Sequence, residues 1–338
     1  MSMRLRIDLA YDGGGFHGWA KQPGLRTVQG EMETALHRIL GVPDNDEREP
    51  LRLVVAGRTD TGVHASHQVC HLDLRSETLS CCIGHMNVPA IEALLRRLRH
   101  FLPSDIAIHG VSEAPEGFDA RFSALERTYV FRIADGAYET DPRLRGFVLT
   151  MDGELDIDAM NQAAAMMVGL HDFGSFATPN PGGTTIREVK AACWRRVAVR
   201  PLIEDSPVED PPIGQSPSGQ RAVGQSRIEQ TLVGQAPSEN SPQERHRTPA
   251  VESGLVCFTI VADAFAHNMV RSLVGACVQI GLGKRTLDWF SGKMAQPVRE
   301  GSTGPIAPQG LTLEHIAYPL DEELGARAER IRARRVLP

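Results

Sequence analysis

Residues 54–71 read Val-Val-Ala-Gly-Arg-Thr-Asp-Thr-Gly-Val-His-Ala-Ser-His-Gln-Val-Cys-His, and the change of character within this stretch decides the fold. Leu53, Val54 and Val55 form an apolar run that stops at Ala56-Gly57. The polar triplet Arg58-Thr59-Asp60 follows, and after Gly62 an alternating apolar run begins. That pattern predicts a strand, a polar loop and a second strand. A carboxylate beside an arginine, on a glycine-flanked loop fixed at both ends by strands, is presented to a substrate without freedom to wander. Asp60 is therefore the candidate reactive group with Arg58 as its neighbour; the plainer reading is a surface loop carrying a local Arg/Asp pair.

Outward from this loop the pattern alternates between periods of two and of about 3.6. Leu5, Ile7, Leu9 and Tyr11 share one face of a strand over 4–11. Val28, Met32, Ala35, Leu36, Ile39 and Leu40 recur at helical spacing, with Thr27 placed to cap the helix and Gly41 to end it. Strands at about 51–56 and 67–74 flank the loop, Ile91, Leu94, Leu95, Leu98 and Leu102 stripe a second helix, and 105–111 returns as a strand. The order is β-α-β-β-α-β, in which two helices cover one face of an antiparallel sheet.

The second half repeats the order. Strands are expected at 127–134, 190–199, 254–263 and 311–318, with helices at 157–169 and 265–280. The predicted class is α+β: two ferredoxin-like domains, 1–115 and 116–338, sharing a central antiparallel sheet with helices behind it and a cleft in front. Residues 201–250 interrupt the second domain. They are rich in Pro, Ser, Gln and Gly, lack a sustained apolar period, and read as a flexible insertion in a hairpin.

Composition narrows the function. A chain of 338 residues, 41% hydrophobic, can bury two domain cores. The formal charge of -6 argues weakly against a nucleic-acid partner, but seven acids and four arginines lie in 201–250, so about half of the excess is there. Six cysteines without a CxxC pair, mostly inside apolar runs, point to a reducing compartment. No long apolar segment opens the chain. A soluble, cytoplasmic protein with no membrane association is expected.

Two further residues stand out. Arg271 lies in Phe265-Ala-His-Asn-Met-Val-Arg at the start of an apolar helix; it either snorkels to solvent or crosses the cleft to hold Asp60 ionised, lowering the acid's pKa. Tyr129, on a strand bounded by Arg127 and Arg132, is either a core aromatic or a platform on which a base stacks while arginines hold phosphates. His64, His67 and His71 match no zinc spacing and would alternate faces of a strand, so no metal site is expected. Gly281-Leu-Gly-Lys284 lacks the residues of a phosphate-binding loop and reads as a helix end. The glycine-rich 11–19 segment reads as a loop near the cleft.

In this order, the blocks Tyr11-Asp-Gly to Gly18-Trp19, Ala56-Gly-Arg-Thr-Asp-Thr-Gly-Val-His64, Phe118-Asp-Ala-Arg-Phe122, Arg127-Thr-Tyr129 and Phe265-Ala-His-Asn-Met-Val-Arg-Ser-Leu-Val-Gly275 resemble the TruA family of tRNA pseudouridine synthases. The resemblance spans the chain apart from the insertion. It implies the pseudouridine synthase fold and isomerisation of uridine at positions 38, 39 and 40 of the tRNA anticodon arm, without cofactor or metal, by a homodimer that the tRNA bridges. It casts Asp60 as the catalytic nucleophile, Arg58 and Arg271 as its basic neighbours, and Tyr129 as the residue stacked on the uracil. Phe118, Arg121, Arg127, Arg187 and His267 complete the substrate-binding set that it suggests. Two other readings are a pseudouridine synthase for another RNA site and an RNA-binding protein without the chemistry.

Overall fold

Alternation at the N-terminus produces strand β1 (Ser2–Tyr11), in which Leu5, Ile7, Leu9 and Tyr11 are buried while Arg4, Arg6 and Asp8 stay partly exposed. One face of the sheet is thereby committed to the core from the first ten residues. The computed structural model describes residues 2–44, 51–138, 141–179, 183–199 and 252–331. The expected insertion at 201–250 lies outside the described residues. Met1–Val197 and Gly254–Pro338 cluster into one compact unit, which contains everything described below.

After β1 come α1 (Val28–Leu40), β2 (Val54–Val55), β3 (His64–Arg75), the short α2 (Ser76–Ser80), α3 (Ala90–Phe101) and β4 (Ile106–Glu113). The second half supplies β5 (Glu126–Ala134), β6 (Leu149–Thr150), α4 (Ile157–Ala165), β7 (Gly169–Asp172), β8 (Ile186–Arg196), β9 (Val256–Ala262), α5 (Met269–Gly281), α6 (Leu287–Ala295), β10 (Leu311–Ala317) and α7 (Leu324–Ile331). As expected, the Thr27 hydroxyl accepts from the Gly30 N–H to start α1, and Gly41, at φ +69°, ends it.

The sheet runs β4-β1-β3-β10-β5-β9-β8-β7, with β2 on β3 and β6 on β5. Numbering the four main strands within each half gives 4-1-3-2 twice, so the two β-α-β-β-α-β units lie edge to edge. Their seam pairs Thr312 with His64 and Leu313 with Ala65, and it is parallel rather than antiparallel. Third and fourth strands of such a unit run in the same sense, so two units set side by side in one orientation must meet in parallel. The same edge of β3 pairs further along with β2, through Val54 with His71 and Val55 with Cys70.

Two helices are shorter than their periodicity predicts, for backbone reasons. Helix α4 stops at Ala165, and Gly169 adopts φ +115°, which turns the chain into edge strand β7 instead of continuing the helix to residue 169. Helix α5 starts at Met269, not Phe265, because Asn268 sits at φ +63°, ψ 1°, in the left-handed region.

Both helix layers occupy the face that carries Leu5, Ile7, Leu9, Phe131 and Phe258. Helix α3 packs on β4, and α4 packs on β8 beside α5. Trp194 of β8 stacks on Phe258 at 4.6 Å between ring centroids. Leu36, Leu94, Phe131 and Phe258 are fully buried there, and each contributes roughly 1.5–3 kcal/mol by leaving water. Because α3 and α4 lie over outer strands, the middle of this face is left to loops, and Tyr129 points into that gap on the same side as Phe131. The pocket therefore opens on the helix-bearing face, between the two helix pairs, and not on the opposite face.

Candidate active site

The loop between β2 and β3 carries Arg58, Thr59 and Asp60, and it is held by the glycine-rich 11–19 segment. The Trp19 N–H donates to the Thr59 carbonyl at 3.1 Å, and the Gly62 N–H to the Phe16 carbonyl at 3.2 Å. Below them the Tyr11 hydroxyl meets the Thr59 hydroxyl at 2.8 Å, and Gln68 Nε2 donates to the Gly57 carbonyl at 2.8 Å and to the Tyr11 hydroxyl at 3.2 Å. A Cβ on Gly13 would stand 2.0 Å from the Val63 carbonyl oxygen. One on Gly18, which has φ +83°, would stand 2.7 Å from the Thr59 carbonyl oxygen. These two glycines let one loop lie directly against the other, which the spacing of the sequence does not disclose.

The opposite wall comes from the second half of the chain. Asp60, Thr59, Tyr129, Phe265, Asn268 and Arg271 line one pocket. Tyr129 is 7% exposed, and its ring meets Phe265 edge to face, with centroids 5.0 Å apart and planes at 88°. Burial drives its phenol far above the ordinary tyrosine pKa.

His267 Nε2 lies 3.6 Å from Asp60 Oδ1. Arg271 acts on the carboxylate through space. Its Nε donates to the Ile306 carbonyl at 2.7 Å, its Nη1 reaches Asn268 Oδ1 at 3.4 Å, and it forms no ion pair with Asp60 among the described residues. The sequence leads one to expect an acid whose pKa arginine lowers. Instead, partial burial of the Asp60 carboxyl raises its pKa above the ordinary carboxylate value, and the charges of His267 and Arg271 with the backbone N–H of Asn268 only partly offset that. A carboxylate stripped of some of its water is the better nucleophile or base once it is ionised.

The other expected site residues lie elsewhere. Arg58 is exposed and does not line the pocket, without a hydrogen bond or ion pair among the described residues. Arg121 is also exposed, its guanidinium 5.2 Å from the centre of the Phe122 ring. Arg127 is buried; its guanidinium donates to the carbonyls of Asp263, Ala56 and Arg121 at 2.6, 2.7 and 2.8 Å. It is a strut behind the β2–β3 loop, with its donors directed at backbone and not at phosphate. Phe118 is 1% exposed and packs 5.0 Å from the Tyr318 ring, away from the pocket. Arg187, partly buried on β8, donates from Nη1 to the Ile186 carbonyl at 2.6 Å and does not line the pocket.

Among the described residues, no three His, Cys, Asp or Glu side chains are arranged to hold a metal ion, and no helix is long and apolar enough to cross a membrane. His71 Nδ1 accepts from the Ala120 N–H at 3.0 Å, and burial lowers its pKa, so it serves as a neutral core acceptor.

A family profile described as tRNA pseudouridine synthase matches residues 163–319. The tRNA pseudouridine synthase A of Bifidobacterium longum (strain NCC 2705) is 64% identical over 334 residues, covering 99% of each chain. The protein of the same name from Bifidobacterium animalis subsp. lactis is 62% identical over 334 residues, again with 99% of each covered. A more distant one, from Streptomyces griseus subsp. griseus, is 40% identical over 336 residues, covering 99% of this chain and 95% of its own.

Proposed function

This chain belongs to the tRNA pseudouridine synthase A family, and from that membership and the pocket at Asp60 we propose that it isomerises uridine to pseudouridine at positions 38, 39 and 40 of the tRNA anticodon arm. The observation that carries the site assignment is convergence. Asp60 from the β2–β3 loop, Tyr129 from β5 and Arg271 from α5 are far apart in sequence and line one pocket.

The bond from C1′ to N1 breaks, the freed uracil turns in place, and C5 bonds to C1′. C5 then loses its proton and N1 gains one, so substrate and product balance atom for atom and no electrons are exchanged. Asp60 attacks C1′, attacks C6 of the ring, or removes a ribose proton; each route requires the ionised carboxylate. The wall of buried Tyr129 and half-buried Phe265 holds the base while it is detached, since a loose uracil would diffuse away. A uridine stacked in the anticodon stem hides the reacting atoms, so it must leave the stack before reaching Asp60. Arg58, exposed two residues before Asp60, enters the space the base vacates.

The same reading includes a homodimer whose two subunits share one tRNA, and a cytoplasmic location. Incubation of the protein and its Asp60→Ala variant with unmodified tRNA transcripts, followed by carbodiimide labelling and primer extension, tests it. Product at 38–40 with the wild type alone is expected. Product at other positions, or equal product from the variant, overturns it.

A further inference from the structure

Asn268 is the only residue other than glycine at positive φ among the described residues; it lines the same pocket as Asp60, and its backbone N–H favours the ionised form of that carboxyl. Side chains other than glycine avoid this region because Cβ crowds the backbone, although Asn tolerates it better than most. The conformation is held by a network. Arginine can only donate, so Arg271 Nη1 at 3.4 Å must face the amide oxygen of Asn268. That orients Asn268 Nδ2 toward the Thr178 hydroxyl, to which it donates at 2.9 Å. Thr178 Oγ1 also accepts from Arg299 Nη1 at 2.9 Å, and the Thr178 N–H donates to the His267 carbonyl at 2.8 Å. The turn that delivers His267 and Asn268 to the pocket is thus clamped from both sides. A helical conformation at this residue would point the N–H elsewhere and lengthen α5 by one residue.

Resting on the reading of Asp60 as catalytic, we propose that Asn268 is a positioning residue: its left-handed backbone, pinned by Thr178 and Arg271, aims its N–H at the Asp60 carboxylate and fixes where His267 stands. The groups that act on Asp60 are His267 from the turn before α5, Arg271 from the first turn of α5 and Tyr129 from β5. Removing the N–H leaves the first two as the sole favourable partners of the ionised form. The carboxylate then needs a higher pH to ionise, and its direction of attack is no longer fixed.

Two substitutions separate backbone from side chain, because glycine adopts the left-handed conformation freely and alanine does not. Single-turnover rates on an unmodified tRNA transcript would be measured against pH for Asn268→Ala, Asn268→Gly, Asp60→Asn and the wild type, with thermal melts confirming folding. Asn268→Ala is expected to lower the maximal rate about 10- to 100-fold, as a small misplacement of a reacting group does, with half-saturation within about twofold. The acid limb of its profile should move to higher pH. Asn268→Gly should recover most of that rate and leave the limb near the wild-type position. A folded Asn268→Ala enzyme with wild-type rate and limb overturns the proposal, as does an equal loss in both variants or a loss confined to half-saturation. An active Asp60→Asn variant would instead overturn the catalytic reading on which the proposal rests.

Discussion

The imidazole of His267 is the one basic side chain within ion-pair distance of the Asp60 carboxylate among the described residues, at 3.6 Å from Nε2 to Oδ1. Arg271, which the sequence puts forward as the partner of that acid, spends its Nε on the Ile306 carbonyl and influences Asp60 only through its field. The electrostatics of the site are therefore those of a partly desolvated acid with a nearby imidazole and a more distant guanidinium.

Activity should rise with pH through an apparent pKa above the ordinary carboxylate value, because burial raises the Asp60 pKa. His267→Ala removes a charge that opposes this shift, so its acid limb should lie at still higher pH. Rates measured under single-turnover conditions from acid to neutral pH check both statements; a His267→Ala limb at lower pH than the wild type would contradict them.

Asp60 should cost the fold stability at neutral pH. A carboxyl whose folded pKa is raised favours the folded state while protonated, and that contribution is lost as pH rises through the folded value. Asp60→Asn is thus expected to raise Tm by about 1–2 °C near pH 7. The gap should close in acid, where both side chains are neutral. Thermal melts at the two pH values decide it.

Arg127 and Arg58 should separate stability from catalysis. Arg127→Leu leaves two buried carbonyls and one part-buried carbonyl without this donor and is expected to cost about 3–5 kcal/mol in unfolding free energy. Arg58→Ala touches an exposed group and should change stability by less than about 0.5 kcal/mol while lowering turnover. Urea titrations beside activity assays distinguish them; an Arg127→Leu protein of normal stability would remove its role as a strut.

Gly13→Ala and Gly18→Ala should both damage the β2–β3 loop. The first forces a methyl group to within 2.0 Å of a backbone oxygen, and the second combines a 2.7 Å approach with a left-handed φ. A loss of about 2–4 kcal/mol is expected for each, with activity falling at temperatures where the fold persists. Gly24→Ala is the control: it has a comparable φ of +72° but open space around it, so it should cost less.

Tyr129→Leu should keep much of the apolar volume of the pocket wall and lose the π face. Base stacking on an aromatic ring contributes about 1–3 kcal/mol, so kcat/KM on tRNA should drop roughly 5- to 150-fold. A Tyr129→Leu enzyme with unchanged kcat/KM would show that the ring only fills the core.

The parts of this fold that were legible in the sequence are those set by periodicity. Leu5, Ile7, Leu9 and Tyr11 announce a half-buried strand, Thr27 and Gly41 bracket a helix, and the change at Ala56-Gly57 locates the reactive loop. What stayed hidden depends on partners distant in the chain. Arg127 looks like a cation awaiting phosphate until the carbonyls of Ala56 and Asp263 close around it. Phe118 looks like a ring available to a base until Tyr318, two hundred residues later, covers it. The left-handed Asn268 leaves no trace in hydrophobic pattern, since it is a backbone state enforced by Thr178 and Arg271. Nor does the spacing of Gly13 and Gly18 reveal that a second loop lies against them.

Strand β10 sits between β3 and β5, yet among the described residues it is the last strand in chain order. Its pairing of Thr312 with His64 joins positions separated by nearly 250 residues, a contact of very high order. A nascent chain that ends before Leu311 has its first 4-1-3-2 unit but lacks the seam that begins directly after the Asp60 loop, along with the Leu311 wall of the pocket. Emergence of β10 from the ribosome is thus the event that closes the seam and the Leu311 side of the pocket. While translation is still under way, a transcript offered to the growing chain should remain unmodified.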